Sequence, residues 1–245
     1  MNAVALHVLV VLFLATTIRS TFGFGEALFA VPLLALRIPL AVATPLAVLV
    51  SITIALVVVA QDWRHIQVRS VGGLLGSTVL GIPVGLMLLA IGKPQPMKAA
   101  LAVLLIAFSV YCLRRRTLFT LQHDSKRWLL ACGFCAGVLG GAYGMNGPPL
   151  VLYGAMRRWS AQQFRATLQG YFLPASIIGM TGYWLAGLWT PVVTHDYLLS
   201  LPVVLPAILL GRILNRRMRG DRFLKYAYFG LATAGCALLI QAIHP

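Results

Sequence analysis

An arginine and a glutamate, Arg19 and Glu26, stand seven residues apart within a long apolar run that extends from Ala3 to Leu36. Charged side chains are expensive inside an apolar segment, so they normally face a polar interior or each other. Two interpretations stay open for the arginine: it contacts an anionic substrate, or it is a structural partner of the glutamate or of carbonyl groups at a helix end. The glutamate is either a proton carrier or a fixed counter-charge.

Glycines interrupt the same run at Gly23 and Gly25, and a similar interruption comes about 121 residues later, in Tyr143-Gly-Met-Asn-Gly-Pro-Pro-Leu150. Glycine costs about 1 kcal/mol in a helix interior and proline about 3 kcal/mol, so a helix should stop at both places. A helix that starts at such a break exposes unpaired N–H groups and the positive end of its dipole. Two such ends that meet predict a site for a small anion.

The candidate site residues flank the two breaks or open the helices that follow them. The predicted substrate-binding residues are Arg19, Ser20, Thr21, Gly23, Gly25, Thr44, Tyr143, Gly144, Asn146, Gly147, Arg165 and Gln169, and Glu26 is the candidate coupling residue. Arg165 either lines the site below the second break or lies at the cytoplasmic interface. The five histidines have no metal-ligand spacing, so no metal, cofactor or catalytic residue is predicted.

The composition places these residues in a membrane protein. The chain is 60% hydrophobic and 10% charged, with a mean hydropathy of +0.87, whereas soluble domains carry about 25% charged residues. The net charge of +15 comes mainly from short basic clusters between apolar runs, which is typical of cytoplasmic loops. We therefore expect a lipid bilayer around the protein and no nucleic acid partner.

Six apolar segments have about the length of a membrane-spanning helix. They are Leu40 to Ala60, Val71 to Ile91, Ala99 to Leu113, Arg165 to Leu188, Leu198 to Leu214 and Phe223 to Ile243. Two further segments, Ala3 to Leu36 and Trp128 to Ala155, would be roughly 51 and 42 Å long as helices, against a hydrocarbon core of about 30 Å. Each carries a break near its middle, at Gly23-Phe-Gly25 in the first and from Gly140-Gly141 to Gly147-Pro-Pro149 in the second. Such breaks predict a re-entrant hairpin of two half-helices.

The basic residues of the loops favour the hairpins over simple spans. With hairpins, sixteen Lys and Arg residues share one side against three on the other, whereas eight simple spans divide them twelve against seven. Each half then has an odd number of crossings, which inverts the second half relative to the first. The predicted fold is an all-α membrane protein of two inverted repeats, 1–113 and 128–245, joined by a cytoplasmic linker, 114–127, with both termini extracytoplasmic.

The sequence resembles the TauE/SafE sulfite exporter family. The resemblance lies in Gly23-Phe-Gly-Glu-Ala-Leu-Phe-Ala-Val-Pro32 followed by Ala41-Val-Ala-Thr44, and in Gly133-Phe-Cys-Ala-Gly-Val-Leu-Gly-Gly-Ala-Tyr-Gly-Met-Asn-Gly-Pro-Pro149 followed by Phe164-Arg-Ala-Thr167. It implies transport of small sulfur-containing anions such as sulfite, thiosulfate or organosulfonates. Glu26 and Asn146 depart from the family pattern, so the substrates carry over only as a class.

The sequence thus favours a secondary transporter in the inner cell membrane. The resemblance to the sulfite exporter family implies that it is an exporter. Proton or sodium coupling is open, as are the direction of transport and the oligomeric state. The alternative from another class is an intramembrane enzyme that acts on lipid phosphates. An enzyme needs a base or a nucleophile beside its anion site, and near the breaks only Glu26 and Ser20 could serve.

Overall fold

The computed structural model describes residues 3–62, 68–114, 125–158, 161–217 and 221–243; within these ranges it leaves out the side chains at 58–59, 61–62, 68–71, 161–166, 169, 216–217 and 221–227. The described chain forms ten α-helices and no β-strand. This confirms the all-α class that the apolar runs predict.

The helices fall into two series of five, one on each side of residues 115–124. The first series is α1 (Ala3–Phe22), α2 (Glu26–Leu34), α3 (Leu40–Asp62), α4 (Val68–Ile91) and α5 (Pro94–Arg114). The second is α6 (Lys126–Tyr143), α7 (Gly147–Met156), α8 (Ala161–Leu185), α9 (Pro191–Arg217) and α10 (Asp221–Ile243). In both series a long helix is followed by a short one and then by three long ones.

Both long apolar segments break where glycine and proline predict a break. Between α1 and α2, Gly23 and Gly25 adopt φ values of 85° and 99°, a left-handed conformation that glycine adopts without steric cost. Between α6 and α7, Gly144 has a φ of 66°. The second break is narrower than expected, because α6 continues through Gly140 and Gly141 as far as Tyr143.

The two helices of each broken segment are unequal in length. α1 has 20 residues and α2 has 9, or roughly 30 and 14 Å at 1.5 Å per residue; α6 and α7 have 18 and 10 residues. The longer member of each pair, with 20 or 18 residues, therefore exceeds the length expected of a half-helix. The physical reason is that each break falls well past the middle of its apolar run.

Contacts near the ends of the chain show which helix ends lie together. His7 Nε2, in the second turn of α1, lies 2.9 Å from the carbonyl oxygen of Leu33, near the end of α2, so these two helices are antiparallel. Gln241 Nε2, in the last turn of α10, donates to the carbonyl oxygen of Leu36 at 3.1 Å. The beginning of α1, the end of α2 and the end of α10 therefore occupy one end of the molecule.

The principal helix contacts between the two series connect α4 with α6, α1 with α9, α3 with α8, and α5 with α10. The contact of α4 with α6 is made backbone to backbone through glycines. A Cβ atom added at Gly81 would lie 3.0 Å from Gly137 Cα, and one added at Gly85 would lie 2.9 Å from Gly141 Cα. Small residues of this kind allow the closest helix approach inside membranes.

The six segments predicted as membrane spans correspond to α3, α4, α5, α8, α9 and α10, although α8 ends at Leu185, three residues before the predicted end of its span. Within the described residues, five helices are long and apolar enough to cross a membrane: α1, α3, α4, α5 and α9. Large apolar side chains on the outer surface, such as Leu80, Met87 and Phe229, are more than 60% exposed. Such a surface suits contact with lipid chains, as expected of a multi-pass membrane protein.

Candidate functional site

The first helix break brings Arg19 and Glu26 into direct contact. Arg19 lies in the last turn of α1 and Glu26 in the first turn of α2, so each charge has the favourable sign for its own helix end. Arg19 Nη1 donates a hydrogen bond to Glu26 Oε2 at 2.8 Å. The residues are 3% and 1% exposed, which makes them a buried ion pair. Any substrate role of Arg19 must therefore use its other N–H groups.

Further contacts fix the orientation of the Arg19 guanidinium. Nη1 also donates to Ser51 Oγ of α3, which lies 3.5 Å from Ser176 Oγ of α8. Phe172 covers one face of the guanidinium, with the ring centroid 5.0 Å from Cζ. Nε and Nη2 have no hydrogen-bond partner among the described residues. These two nitrogens form one edge of the guanidinium, and such an edge can bind two oxygens of one anion.

A cavity of about 30 Å³, called the central cavity below, lies beside this ion pair and reaches both breaks. Its size suits one or two water molecules. The lining residues come from both breaks and from the middle turns of α3 and α8. They are Arg19, Phe24, Gly25, Glu26, Ala27, Leu28, Ser51, Gly144, Met145, Asn146, Gly147, Pro148, Phe172 and Ser176.

The N-terminus of α2 belongs to the wall of the central cavity. Its first three residues, Glu26, Ala27 and Leu28, all line the cavity. Phe29 N donates to Gly25 O at 3.1 Å, and no side chain caps the helix. The three N–H groups before Phe29 therefore lack intrahelical partners, and the positive end of the helix dipole adds to their attraction for an anion.

The N-terminus of α7 contributes fewer donors than the first break. Pro148 and Pro149 follow Gly147 at the start of this helix, and proline has no N–H group. Of these three residues only Gly147 can donate from its backbone. Asn146 packs its side chain toward α6, where a Cβ added at Gly140 would lie 2.9 Å from Asn146 Cγ. The two breaks thus share one cavity but do not offer equal anion sites.

Corresponding positions of the two halves line the central cavity together. Five pairs of lining residues are 121 positions apart: Phe24 and Met145, Gly25 and Asn146, Glu26 and Gly147, Ala27 and Pro148, Ser51 and Phe172. The same spacing relates the two sequence motifs. The duplication seen in the sequence therefore reappears as two halves of one cavity wall.

Six of the thirteen predicted site residues line the central cavity: Arg19, Gly25, Glu26, Gly144, Asn146 and Gly147. Ser20 and Thr21 lie instead against α9. The Thr21 hydroxyl donates to Thr17 O at 2.7 Å and to Gly211 O at 3.3 Å, and a Cβ added at Gly211 would collide with Ser20. Successive helical residues are about 100° apart around the axis, so the neighbours of an inward-facing arginine point elsewhere.

Three further predicted residues lie beside the central cavity without lining it. Gly23 terminates α1, with its N–H donating to Arg19 O at 2.6 Å. Thr44 is fully buried and contacts the position of Gly144, where an added Cβ would lie 3.6 Å from Thr44 Cγ2. The Tyr143 hydroxyl donates to Met97 O at 3.0 Å. Gly23 therefore belongs to the first break, whereas Thr44 and Tyr143 support the second break from outside the cavity.

Arg165 and Gln169 belong to α8, but their side chains lie outside the described residues. Their predicted role therefore stays a prediction.

The sequence prediction missed eight of the lining residues, and three of these, Ser51, Phe172 and Ser176, lie on α3 and α8 away from both breaks. Hydroxyl groups inside apolar spans usually bond to their own helix backbone, and a phenylalanine there resembles any lipid-facing residue. The repeat spacing was the available signal, because Phe172 stands 121 residues after Ser51. The offset of 121 residues, extended from the breaks into α3, identifies Ser51 and Phe172 as corresponding positions of the two halves.

The central cavity is suited to binding an anion more than to chemistry. Among its lining residues Glu26 is the only carboxylate, and it is engaged by Arg19. No histidine or cysteine belongs to the lining that the structure describes, and the described residues contain no cluster of potential metal ligands. An enzyme acting on phosphates would need a free base beside a nucleophile, and the only carboxylate in the lining near the Ser51 and Ser176 hydroxyls is the one that Arg19 engages.

Comparison with known proteins connects the whole fold to one family. The family model described as Sulfite exporter TauE/SafE matches residues 8–239, which include both breaks and all the residues around the central cavity. No curated protein and no solved structure matches the chain.

Proposed function

Because the chain belongs to the TauE/SafE sulfite exporter family, a family of membrane transporters and not of enzymes, we propose that it is a secondary transporter of small sulfur-containing oxyanions that bind in the central cavity. The observation that carries this proposal is the free Nε and Nη2 edge of Arg19, buried beside the uncapped N-terminus of α2. A guanidinium edge and backbone N–H groups together match an anion with several oxygens.

The proposed architecture is a pair of inverted repeats, each with a broken hairpin and three spanning helices. The five lining pairs at a spacing of 121 residues support it. So does the reciprocal packing, in which α4 meets α6 and α1 meets α9. The start of α1 lies beside the end of α2, which leads directly into α3, so these three helix ends share one end of the molecule. Few basic loop residues belong to this end in the hairpin topology, which favours an extracytoplasmic position for it.

The depth of the proposed site follows from the two helices that cross behind it. Ser51 is the twelfth residue of α3, which has 23, and Ser176 is the sixteenth residue of α8, which has 25. Both hydroxyls line the central cavity. An anion bound there would lie near the middle of the membrane, where a transporter site is equally far from both surfaces.

Transport requires the central cavity to enlarge. A volume of about 30 Å³ accommodates one or two water molecules, whereas sulfite has four non-hydrogen atoms and sulfonates have more. We infer that the two breaks separate as one half rocks against the other, and that each rocking direction opens the cavity to one side of the membrane.

Glu26 is the proposed coupling residue. The ion pair is neutral as a unit, so an anion that binds to the free edge of Arg19 leaves the buried site with a net negative charge. For a univalent anion, such as a sulfonate or hydrogen sulfite, uptake of one proton by Glu26 restores neutrality, and buried uncompensated charge is costly. Binding of the anion and of the proton should therefore favour each other. A sodium ion is a poorer match, because Arg19 already occupies one carboxylate oxygen.

The membrane potential sets the energetic difference between the two directions. A univalent anion that leaves an inside-negative cell without a proton gains about 2.3 kcal/mol per 100 mV. An anion that moves together with a proton carries no net charge and follows the pH gradient instead. Proton coupling therefore favours uptake, and its absence favours export.

Flux into proteoliposomes tests this proposal. The purified protein is reconstituted and challenged with sulfite, thiosulfate and short alkanesulfonates, with and without a pH gradient. Sulfonates serve to test coupling, because their charge does not change near neutral pH. We expect saturable flux for at least one of these anions, and a pH-gradient dependence that Glu26→Gln removes. If none of the anions is transported, the proposal is wrong.

A further inference from the structure

A second and larger cavity lies at the molecular end that holds the start of α1 and the end of α10. It has a volume of about 550 Å³, within the range of small-molecule sites in proteins, and is called the outer cavity below. It lies among the turn between α2 and α3, the turn between α4 and α5, and Gln241 of α10. Its described lining is Ala35, Leu36, Arg37, Ile38, Pro39, Leu40, Ala41, Leu89, Ala90, Gly92, Pro94, Met97, Lys98 and Gln241.

The outer cavity is positively charged. Arg37 and Lys98 line it, and no acidic side chain belongs to the lining that the structure describes. Lys98 Nζ donates to Gln241 Oε1 at 3.1 Å, a neutral partner that orients the ammonium group without cancelling its charge. Both cations also stand near the N-termini of helices, α3 and α5, whose dipoles have the same sign. A bound anion would relieve this concentration of positive charge.

Much of the remaining wall is apolar. Leu36, Ile38, Leu40, Leu89 and Met97 all contribute to it. A site that combines two cations with an apolar wall suits an anion that carries a hydrocarbon part better than a bare inorganic ion. An alkanesulfonate has this chemistry, and so does the phosphate end of an anionic lipid.

A thin layer of residues separates the outer cavity from the central cavity. Met97 lines the outer cavity and accepts the hydroxyl hydrogen of Tyr143 through its carbonyl oxygen at 3.0 Å. The residue after Tyr143 is Gly144, which lines the central cavity. On α3, Ala41 lines the outer cavity, and Thr44, one turn deeper, contacts the position of Gly144. The two cavities are thus in series.

We propose that the outer cavity is a second oxyanion-binding site, in which Arg37 and Lys98 hold a sulfonate-type or phosphate-type group against an apolar wall. Its role as the outer stage of a transport path, separated from the central cavity by the contact of Tyr143 with Met97, rests on the function proposed above. Its role as a binding site does not depend on transport.

Modification of an introduced cysteine tests the binding site directly. The cysteines at 112, 132, 135 and 236 are replaced by alanine, and Ala90→Cys places one thiol in the outer cavity. Purified protein in phosphatidylcholine vesicles is treated with two membrane-impermeant methanethiosulfonates, one ending in a sulfonate and one in a trimethylammonium group. A matched variant, Val192→Cys, places a thiol at an exposed position of α9 away from the cavity.

We expect the ratio of the sulfonate rate to the trimethylammonium rate to be higher at Ala90→Cys than at Val192→Cys, a comparison that removes the difference in intrinsic reactivity between the two reagents. Lys98→Gln and Arg37→Gln should each slow the sulfonate reagent about three- to fivefold, the effect of one partly exposed charge, while Lys98→Arg preserves the rate. The rate at which the sulfonate reagent modifies Val192→Cys should not change with either Lys98→Gln or Arg37→Gln. The same ratio of rates at Ala90→Cys and Val192→Cys, or a sulfonate rate at Ala90→Cys that neither Lys98→Gln nor Arg37→Gln changes, would overturn the proposal.

Protection experiments identify the source of the oxyanion. Slower modification in the presence of ethanesulfonate, in phosphatidylcholine alone, supports a site for soluble anions. Slower modification only after phosphatidylglycerol is added, and lost with Lys98→Gln, supports a site for the lipid phosphate. If neither anion protects the thiol, the binding claim is wrong. Protection without any flux would overturn the transport proposal and leave this site in place.

Discussion

The glycine contact between α4 and α6 makes Gly137 one of the least replaceable positions in the fold. A Cβ added there would lie 2.9 Å from Gly81 Cα and 3.0 Å from Ile82 N, and closer still to the carbonyl oxygen of Thr78. All three are backbone atoms, so no side chain can rotate away. Gly137→Ala therefore forces the two helices apart by roughly 1 Å.

The cost follows from this displacement. Overpacking of a tight contact usually costs about 1 to 3 kcal/mol, and the backbone character of this contact places Gly137→Ala near the upper end. In a chain of this size each kcal/mol corresponds to roughly 2 to 4 °C in the unfolding midpoint. The higher helix propensity of alanine recovers about 1 kcal/mol of this cost. The remaining loss of about 2 kcal/mol predicts a decrease of about 4 to 8 °C in the unfolding midpoint.

Gly76→Ala is the matched control for this substitution. Gly76 lies in α4, the helix that faces Gly137 of α6, but an added Cβ there would meet no atom within 4 Å. Alanine should leave the unfolding temperature unchanged or raise it slightly, because it favours the helix. The assay is thermal unfolding of both purified variants in one detergent, followed by tryptophan fluorescence. If both variants unfold at the same temperature, the close backbone contact of α4 and α6 is wrong.

Three further predictions concern the central cavity. Glu26→Gln leaves the Arg19 charge buried without a counter-ion, so it should destabilise the protein by about 3 to 5 kcal/mol, and adding Arg19→Gln should recover part of this loss in thermal unfolding. Gly147→Ala should fold normally, because its Cβ meets no atom within 4 Å, yet lower anion flux about tenfold or more by filling the cavity. Gly144→Ala, in contrast to Gly147→Ala, should lower the unfolding temperature in addition to the flux. Gly144 has a φ of 66°, a conformation that costs about 1 to 2 kcal/mol for alanine.

Each of these predictions has a contrary outcome. A double variant less stable than Glu26→Gln alone would mean that the arginine is stabilised by something other than the glutamate. Unchanged flux in Gly147→Ala would place the anion elsewhere. Equal unfolding temperatures for the variants at Gly144 and Gly147 would contradict the left-handed turn at the second break.

The sequence was most informative where one residue type dictates the backbone. Gly23, Gly25 and the prolines after Gly147 predicted both helix breaks, because few other residues tolerate those conformations or end a helix so reliably. The contact of Arg19 with Glu26 was one of two open interpretations, since spacing alone does not determine how a turn folds back.

Other parts of the site depended on tertiary packing. Ser20 and Thr21 follow Arg19 directly, yet the rotation of α1 turns them toward α9. Ser51 and Ser176 lie in apolar spans, and only the crossing of α3 with α8 brings their hydroxyls within 3.5 Å of each other. The lengths of α1 and α2 likewise depended on where the break falls, which composition does not fix.

The measurement that tests the central claim most directly is anion flux through Arg19→Gln compared with Arg19→Lys and the unmodified protein, in proteoliposomes with matched protein content. Loss of the two charge-assisted hydrogen bonds from the free guanidinium edge, at about 1.5 kcal/mol or more each, predicts a decrease of about 100-fold in kcat/KM for Arg19→Gln. Arg19→Lys keeps the charge but not the planar edge, so partial flux is expected. Flux through a folded Arg19→Gln variant at the rate of the unmodified protein would contradict anion binding in the central cavity.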